Sequence, residues 1–161
     1  MARALIVGCG CRGRELGTRL LAEGWAVRGT SRGEEGLAAI EAAGLEAALA
    51  DPGRIGTVLE LVDDVAVVVW LLGLAVGEPE VVDEIHGPRL EHLLEKLVDT
   101  PVRGFVYEGV GSVGEKRLAR GAAAVRAAAS TWRIPVAILD TGSGDLVAAA
   151  VSASTGLIRP T

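Results

Sequence analysis

No asparagine and no glutamine occur in this sequence, and its aromatic residues are three tryptophans, one tyrosine and one phenylalanine. The missing amides fit a high-temperature source, a coding bias or design alike. With so few rings the core must be built from Ala, Val, Leu and Ile, which suits a parallel sheet wrapped by closely packed helices. The two cysteines, Cys9 and Cys11, form a single C-x-C. That excludes a disulfide framework and, without a second ligand pair, a zinc site; both read as small residues in a crowded turn rather than reactive thiols. The histidines, His86 and His92, are six apart, which is not the i, i+4 spacing of a metal pair, so both are expected at the surface and no metal is expected.

Long apolar runs are also missing. The longest, Val65–Val76, is shorter than the roughly 20 residues that span a bilayer, and reads as a buried strand with its exit loop. The first apolar run, Ala4–Val7, is followed at once by arginines, so no secretory signal is expected; the expectation is a cytoplasmic protein without membrane contact. No basic run is interleaved with aromatics, which argues against a nucleic-acid partner. Net charge is −5, but its distribution is uneven: residues 1–33 carry +4 and the remainder −9.

What is present is concentrated in Ala4–Arg32, which reads as strand, glycine turn, helix and second strand. Gly8, Gly10 and Gly13 supply a GxGxxG spacing directly after an apolar strand. In that arrangement the first glycine makes the tight turn, the second lets backbone approach a pyrophosphate, and the third allows the helix to pack close to the sheet. Free N–H groups and the helix dipole favour a phosphate near Cys11–Arg14. The positive charge of the N-terminal segment surrounds this turn.

Beyond it, helical segments are expected at Glu34–Ala43, Ile55–Leu61, Glu78–Val98 with a kink or restart at Pro88, Glu115–Thr131, and from Gly142–Gly144 to about Ala153. Strands are expected at Leu45–Ala50, Val65–Leu72, Val102–Tyr107 and Pro135–Leu139, with Val65–Leu72 central because β-branched residues dominate it. Right-handed crossovers then give one domain over residues 1–161. Its fold class is α/β, a doubly wound, parallel six-stranded sheet of order 3-2-1-4-5-6 in a three-layer αβα sandwich, the Rossmann arrangement.

These residues resemble the nucleotide-binding core of the NAD-dependent epimerase/dehydratase group, the extended and atypical short-chain dehydrogenases. The likeness rests on GCGCRG at Gly8–Gly13, RGTSR at Arg28–Arg32, Asp51 in LADP, and GFVYEGVGSVG from Gly104. It implies a nicotinamide dinucleotide held by Gly8, Gly10, Cys11, Arg12 and Gly13 at the pyrophosphate, Asp51 near the adenine, and Trp70 and Leu71 where the fourth strand ends. At the end of the second strand an acidic residue would select NAD; here Thr30, Ser31 and Arg32 suit a 2′-phosphate, so NADP is expected first and NAD second, with Arg28 a solvent-facing alternative. Asp51 reads equally well as a turn-forming residue before Pro52.

The family's YxxxK is missing. Glu108, Tyr107 and Ser112 remain as candidates for proton transfer, Tyr107 fitting a core or edge position better than a catalytic one; Glu108 and Asp140 end neighbouring strands, and Lys116 starts a helix. The leading expectation is an NADP(H)-binding protein that senses redox state or has lost turnover. The alternatives are an oxidoreductase or epimerase acting on a small carbonyl or nucleotide sugar with another proton donor, and an interaction module that binds nothing. The helices near 90–98 and 115–131 are expected to form a homodimer, unless their apolar faces cover the sheet.

Overall fold

The computed structural model describes residues 2–140 and 145–158; Gly142–Gly144, expected to lead into the last helix, lie outside the described residues. Strands β1 (Arg3–Val7), β2 (Ala26–Ser31), β3 (Glu46–Leu49), β4 (Val67–Trp70), β5 (Gly104–Glu108) and β6 (Val136–Leu139) form one sheet. Its order is β3-β2-β1-β4-β5-β6, and every neighbouring pair is parallel. This is the topology expected from the alternation of elements.

Pleating sends successive residues to opposite faces, and both faces are covered. Leu5, Val7, Val68, Trp70, Phe105 and Tyr107 enter one core, beneath α3 (Ile55–Leu59), α4 (Pro79–Ile85), α5 (Pro88–Leu97) and α6 (Glu115–Trp132). Ala4, Ile6, Val67, Val69 and Val106 enter the other, beneath α1 (Cys11–Ala22), α2 (Glu34–Ala42) and α7 (Leu146–Ile158). Trp70, Phe105 and Tyr107 are fully buried on one side of the central strands, while Trp25 joins the largely aliphatic core on the other.

Of the two readings of Pro88 in the Glu78–Val98 segment, the restart is the one found, and the segment forms two helices. The break falls at His86–Gly87, and Pro88 opens the second helix at a position where its missing N–H costs nothing. Leu90, Leu93, Leu94 and Leu97 are buried in this chain's own core, each worth about 1.5–3 kcal/mol against exposure. On α6 the inward face is Leu118, Gly121, Ala122, Val125 and Ala128; Trp132, at its end, is exposed. Both apolar faces therefore cover the sheet.

Candidate functional site

β1 and β4 stay paired to their C-terminal ends at Val7 and Trp70, and beyond them, where the chain passes to helices on opposite faces, a cleft of about 380 Å³ opens, at the switch point where open α/β sheets bind ligands. Gly8 begins its floor with φ +85, a conformation that L side chains rarely adopt. A Cβ there would run into the Leu71 carbonyl and lie 2.8 Å from Leu72 Cδ2. Helix α1 starts at Cys11 behind an extended Gly10, with no side-chain cap and no acidic residue in its first turn. Its opening N–H groups and dipole are therefore left for an anion. A Cβ on Gly13 would approach Ile6 Cγ2 to 3.2 Å, the close helix-to-strand packing expected of the third glycine.

The turn is tied to β2. Gly8 N–H donates to Thr30 Oγ1 at 3.4 Å and Cys9 N–H to Thr30 O at 3.2 Å, so the buried Thr30 hydroxyl supports the loop. Cys9 packs onto Gly29, where a Cβ would sit 2.6 Å from its sulfur, and burial pushes its thiol up to about 11. Cys11 is exposed in the lining. Ser31 Oγ accepts from Gly33 N–H at 3.3 Å in the turn into α2, which leaves Arg32 exposed at the rim. Asp51 also lines the cleft, and its Oδ1 accepts from Gly53 N–H at 2.8 Å, the contact of a turn-forming residue.

Among the expected contacts, Gly8, Gly10, Cys11, Arg12, Gly13, Thr30, Ser31, Arg32, Asp51 and Leu71 share this lining. Trp70 does not. Its ring is wholly buried and Nε1–H donates to Ile85 O at 3.1 Å, because pleating turns residue 70 into the core. Arg28 is no solvent-facing residue either: it forms ion pairs with Glu46 and, at 2.8 Å, with Asp64, and these carboxylates raise its pKa. Arg14, at the end of the expected phosphate position, lines it too, and the α4 residues Val81, Val82 and Ile85 join the lining without having been singled out in the sequence.

A second polar group lies between β4 and β5. Glu108 is 1% exposed; Oε1 accepts from Gly73 N–H at 2.7 Å, and Arg12 Nη2 lies 2.5 Å from Oε2. Burial raises the Glu108 pKa and the Arg12 charge opposes it. Tyr107 is buried, and its hydroxyl sits 2.6 Å from His86 Nδ1, whose Nε2 lies 2.9 Å from Leu72 O. Only an Nε2–H can meet a carbonyl, and burial disfavours the doubly protonated ring, so in the neutral ring Nδ1 accepts from the phenol. Ser112, Asp140, Lys116 and His92 are exposed and outside the lining. Among the described residues no group of three or more His, Cys, Asp or Glu side chains could hold a metal.

His86 corrects the expectation of a surface residue. The helix break at His86–Gly87 turns it inward, and the His-Gly-Pro sequence was the available signal. Burial lowers its pKa below the ordinary 6.5, so the native state binds fewer protons than the unfolded chain as pH falls. The associated stability is complete above about 6.5 and is lost below it, with a limiting slope of about 1.4 kcal/mol per pH unit. Glu108, with its raised pKa, acts with opposite sign: its contribution is complete below its ordinary 4.5 and lost as pH rises through its native value. The difference in urea midpoint between wild type and His86→Phe, followed from pH 7.5 to 5.5, isolates the histidine; it is expected to shrink as pH falls, and a constant difference would exclude the linkage.

No family model matches the chain, and no curated protein matches it. Solved structures do. A short-chain dehydrogenase from Rhodopseudomonas palustris is similar at 17% identity and TM-score 0.69, over 94% of this chain and 90% of that one. UDP-glucuronic acid 4-epimerase from Bacillus cereus, in complex with NAD, aligns at 17% identity and TM-score 0.67 over 84% of this chain and 54% of its own. UDP-glucose 4-epimerase from Thermotoga maritima, with UDP-glucose, aligns at 13% identity and TM-score 0.70 over 84% and 54%. The chain thus spans about half the length of these epimerases. Its fold is the Rossmann fold shared by NAD-dependent epimerases and short-chain dehydrogenases.

Proposed function

We propose that this chain binds a nicotinamide dinucleotide, NADP(H) in preference to NAD(H), and acts by binding rather than by turnover. The observation that carries the preference is Arg32, exposed on the cleft rim at the end of β2 and, among the described residues, in no ion pair. An acidic residue in that place would repel a 2′-phosphate, whereas a guanidinium takes it in charge-assisted hydrogen bonds. Glu34 and Glu35 occupy the first turn of α2, so anion contact there falls to Arg32 and not to the helix terminus.

The binding reading is supported by the state of the proton-transfer candidates. The Tyr107 phenol is engaged by His86, and its pKa is pushed up by burial. Glu108 is held by Arg12 and Gly73. Ser112 lies outside the cleft lining. Losing a positioned proton donor lowers rates by about 10²–10⁴. Among the described residues no helix is long and apolar enough to cross a membrane. A homodimer through α5 and α6 would rest on their outer faces, where Val98 and Trp132 are the exposed large apolar residues.

Calorimetric titration with NADPH and NADH tests this reading. NADPH should bind more tightly, and Arg32→Glu should weaken NADPH by about 1.5–3 kcal/mol, the value of a hydrogen bond to a charged group, while leaving NADH unchanged. Equal affinities in the wild type would refute the preference.

A further inference from the structure

The cleft belongs to one half of the sheet. Its lining comes from the glycine turn, the ends of β2 and β3, the loop after β4, and α4; among the described residues none from the ends of β5 or β6 takes part. A doubly wound sheet consists of two mononucleotide-binding halves, and a dinucleotide crosses from one to the other at the switch point.

Here the second half is closed at that crossing. Gly73, after β4, donates its N–H to Glu108 Oε1 at 2.7 Å, and Val113, after β5, donates its N–H to Gly73 O at 3.1 Å. The two loops touch so closely that a Cβ on Gly111 would lie 2.7 Å from Gly73 Cα. Arg12 leaves the glycine turn and reaches across this junction to Glu108 Oε2 at 2.5 Å. Ion pair and loop contact thus both lie between the cleft and the second half.

The open half has what an adenosine nucleotide requires. Arg14 and Arg32 line it and, among the described residues, neither forms an ion pair, so two cationic points stand apart, one beside the α1 terminus and one at the end of β2. Leu74, Ala75, Val76, Val82 and Ile85 give it an apolar wall for a flat ring. At about 380 Å³ the cleft is near the low end of the roughly 300–1,000 Å³ typical of small-molecule sites.

We propose that the cleft seats only the adenosine phosphate half of its ligand and leaves the nicotinamide riboside outside, so that adenosine nucleotides lacking nicotinamide are equally good ligands. This rests on the dinucleotide-site reading above. The test is calorimetric titration of the whole chain with two pairs of ligands: NADPH against 2′-phospho-ADP-ribose, and NADH against ADP-ribose. Within each pair the dissociation constants are expected to agree within tenfold. A dinucleotide that binds tenfold or more tightly than its nicotinamide-free counterpart would overturn the half-site and leave the dinucleotide reading intact. Binding by none of the four ligands would remove both.

Discussion

Trp70→Ala is expected to destabilise the protein by about 3–5 kcal/mol, the usual cost of emptying a large aromatic site in a core. The ring is fully buried, stands 6.2 Å from Phe105 between centroids, and satisfies the Ile85 carbonyl at the end of α4. The alanine variant loses the transfer energy, leaves a cavity between β4 and α4, and strips a buried carbonyl of its donor. Trp70→Phe keeps most of the volume and removes the donor, so it should cost about 1–3 kcal/mol. Urea unfolding reads both. Trp70→Phe should also bind NADPH within threefold of wild type, since the indole lies outside the cleft lining; a larger loss of affinity with unchanged stability would return Trp70 to the ligand site.

Gly8→Ala should cost about 2–5 kcal/mol. The positive φ contributes roughly 1–2 kcal/mol for any residue bearing a Cβ, and the new methyl must displace the Leu71 carbonyl and Leu72 side chain, an overpacking that adds about 1–3 kcal/mol. Because Leu71 and Leu72 line the cleft, the shift also deforms the ligand's seat. Gly10→Val makes the informative contrast. A Cβ at Gly10 meets no protein atom within 4 Å and its backbone is extended, so the variant should unfold at the wild-type urea midpoint yet lose measurable affinity for both dinucleotides. Wild-type affinity in Gly10→Val would show that the ligand does not pass over the glycine turn.

The sequence carried the fold because its signals were local and repeated: β-branched runs, glycine turns and leucine stripes recurred in one alternating order, and parallel topology follows from that order. It carried the cleft because the glycine spacing and the end of β2 fix backbone positions. It missed where pleat phase and a helix break decide. Trp70 stands one residue before Leu71, and that single step sends its side chain into the core instead of the cleft. His86 lies within a stretch that reads as continuous helix until Gly87 and Pro88 divide it, which turns the imidazole toward Tyr107. The Arg12–Glu108 pair joins residues far apart in the chain, and no spacing rule brings them together. Arg28 was misplaced for the same reason, since its partners Glu46 and Asp64 are distant in sequence.

The position of β1 bears on how the chain is made. It precedes the other five strands in the chain but lies in the middle of the sheet, paired on one side with β2 and on the other with β4. On a ribosome, β1, β2 and β3 emerge together and can pair, while the other edge of Ala4–Val7 waits for Val67–Trp70. During that interval an all-apolar strand edge is open, the kind of surface that recruits other chains. Pairing of β4 closes that edge and passes the open one to Val67–Trp70 until β5 follows; the same step brings Leu71 and Leu72 against Gly8, so the walls of the cleft meet before the sheet is complete.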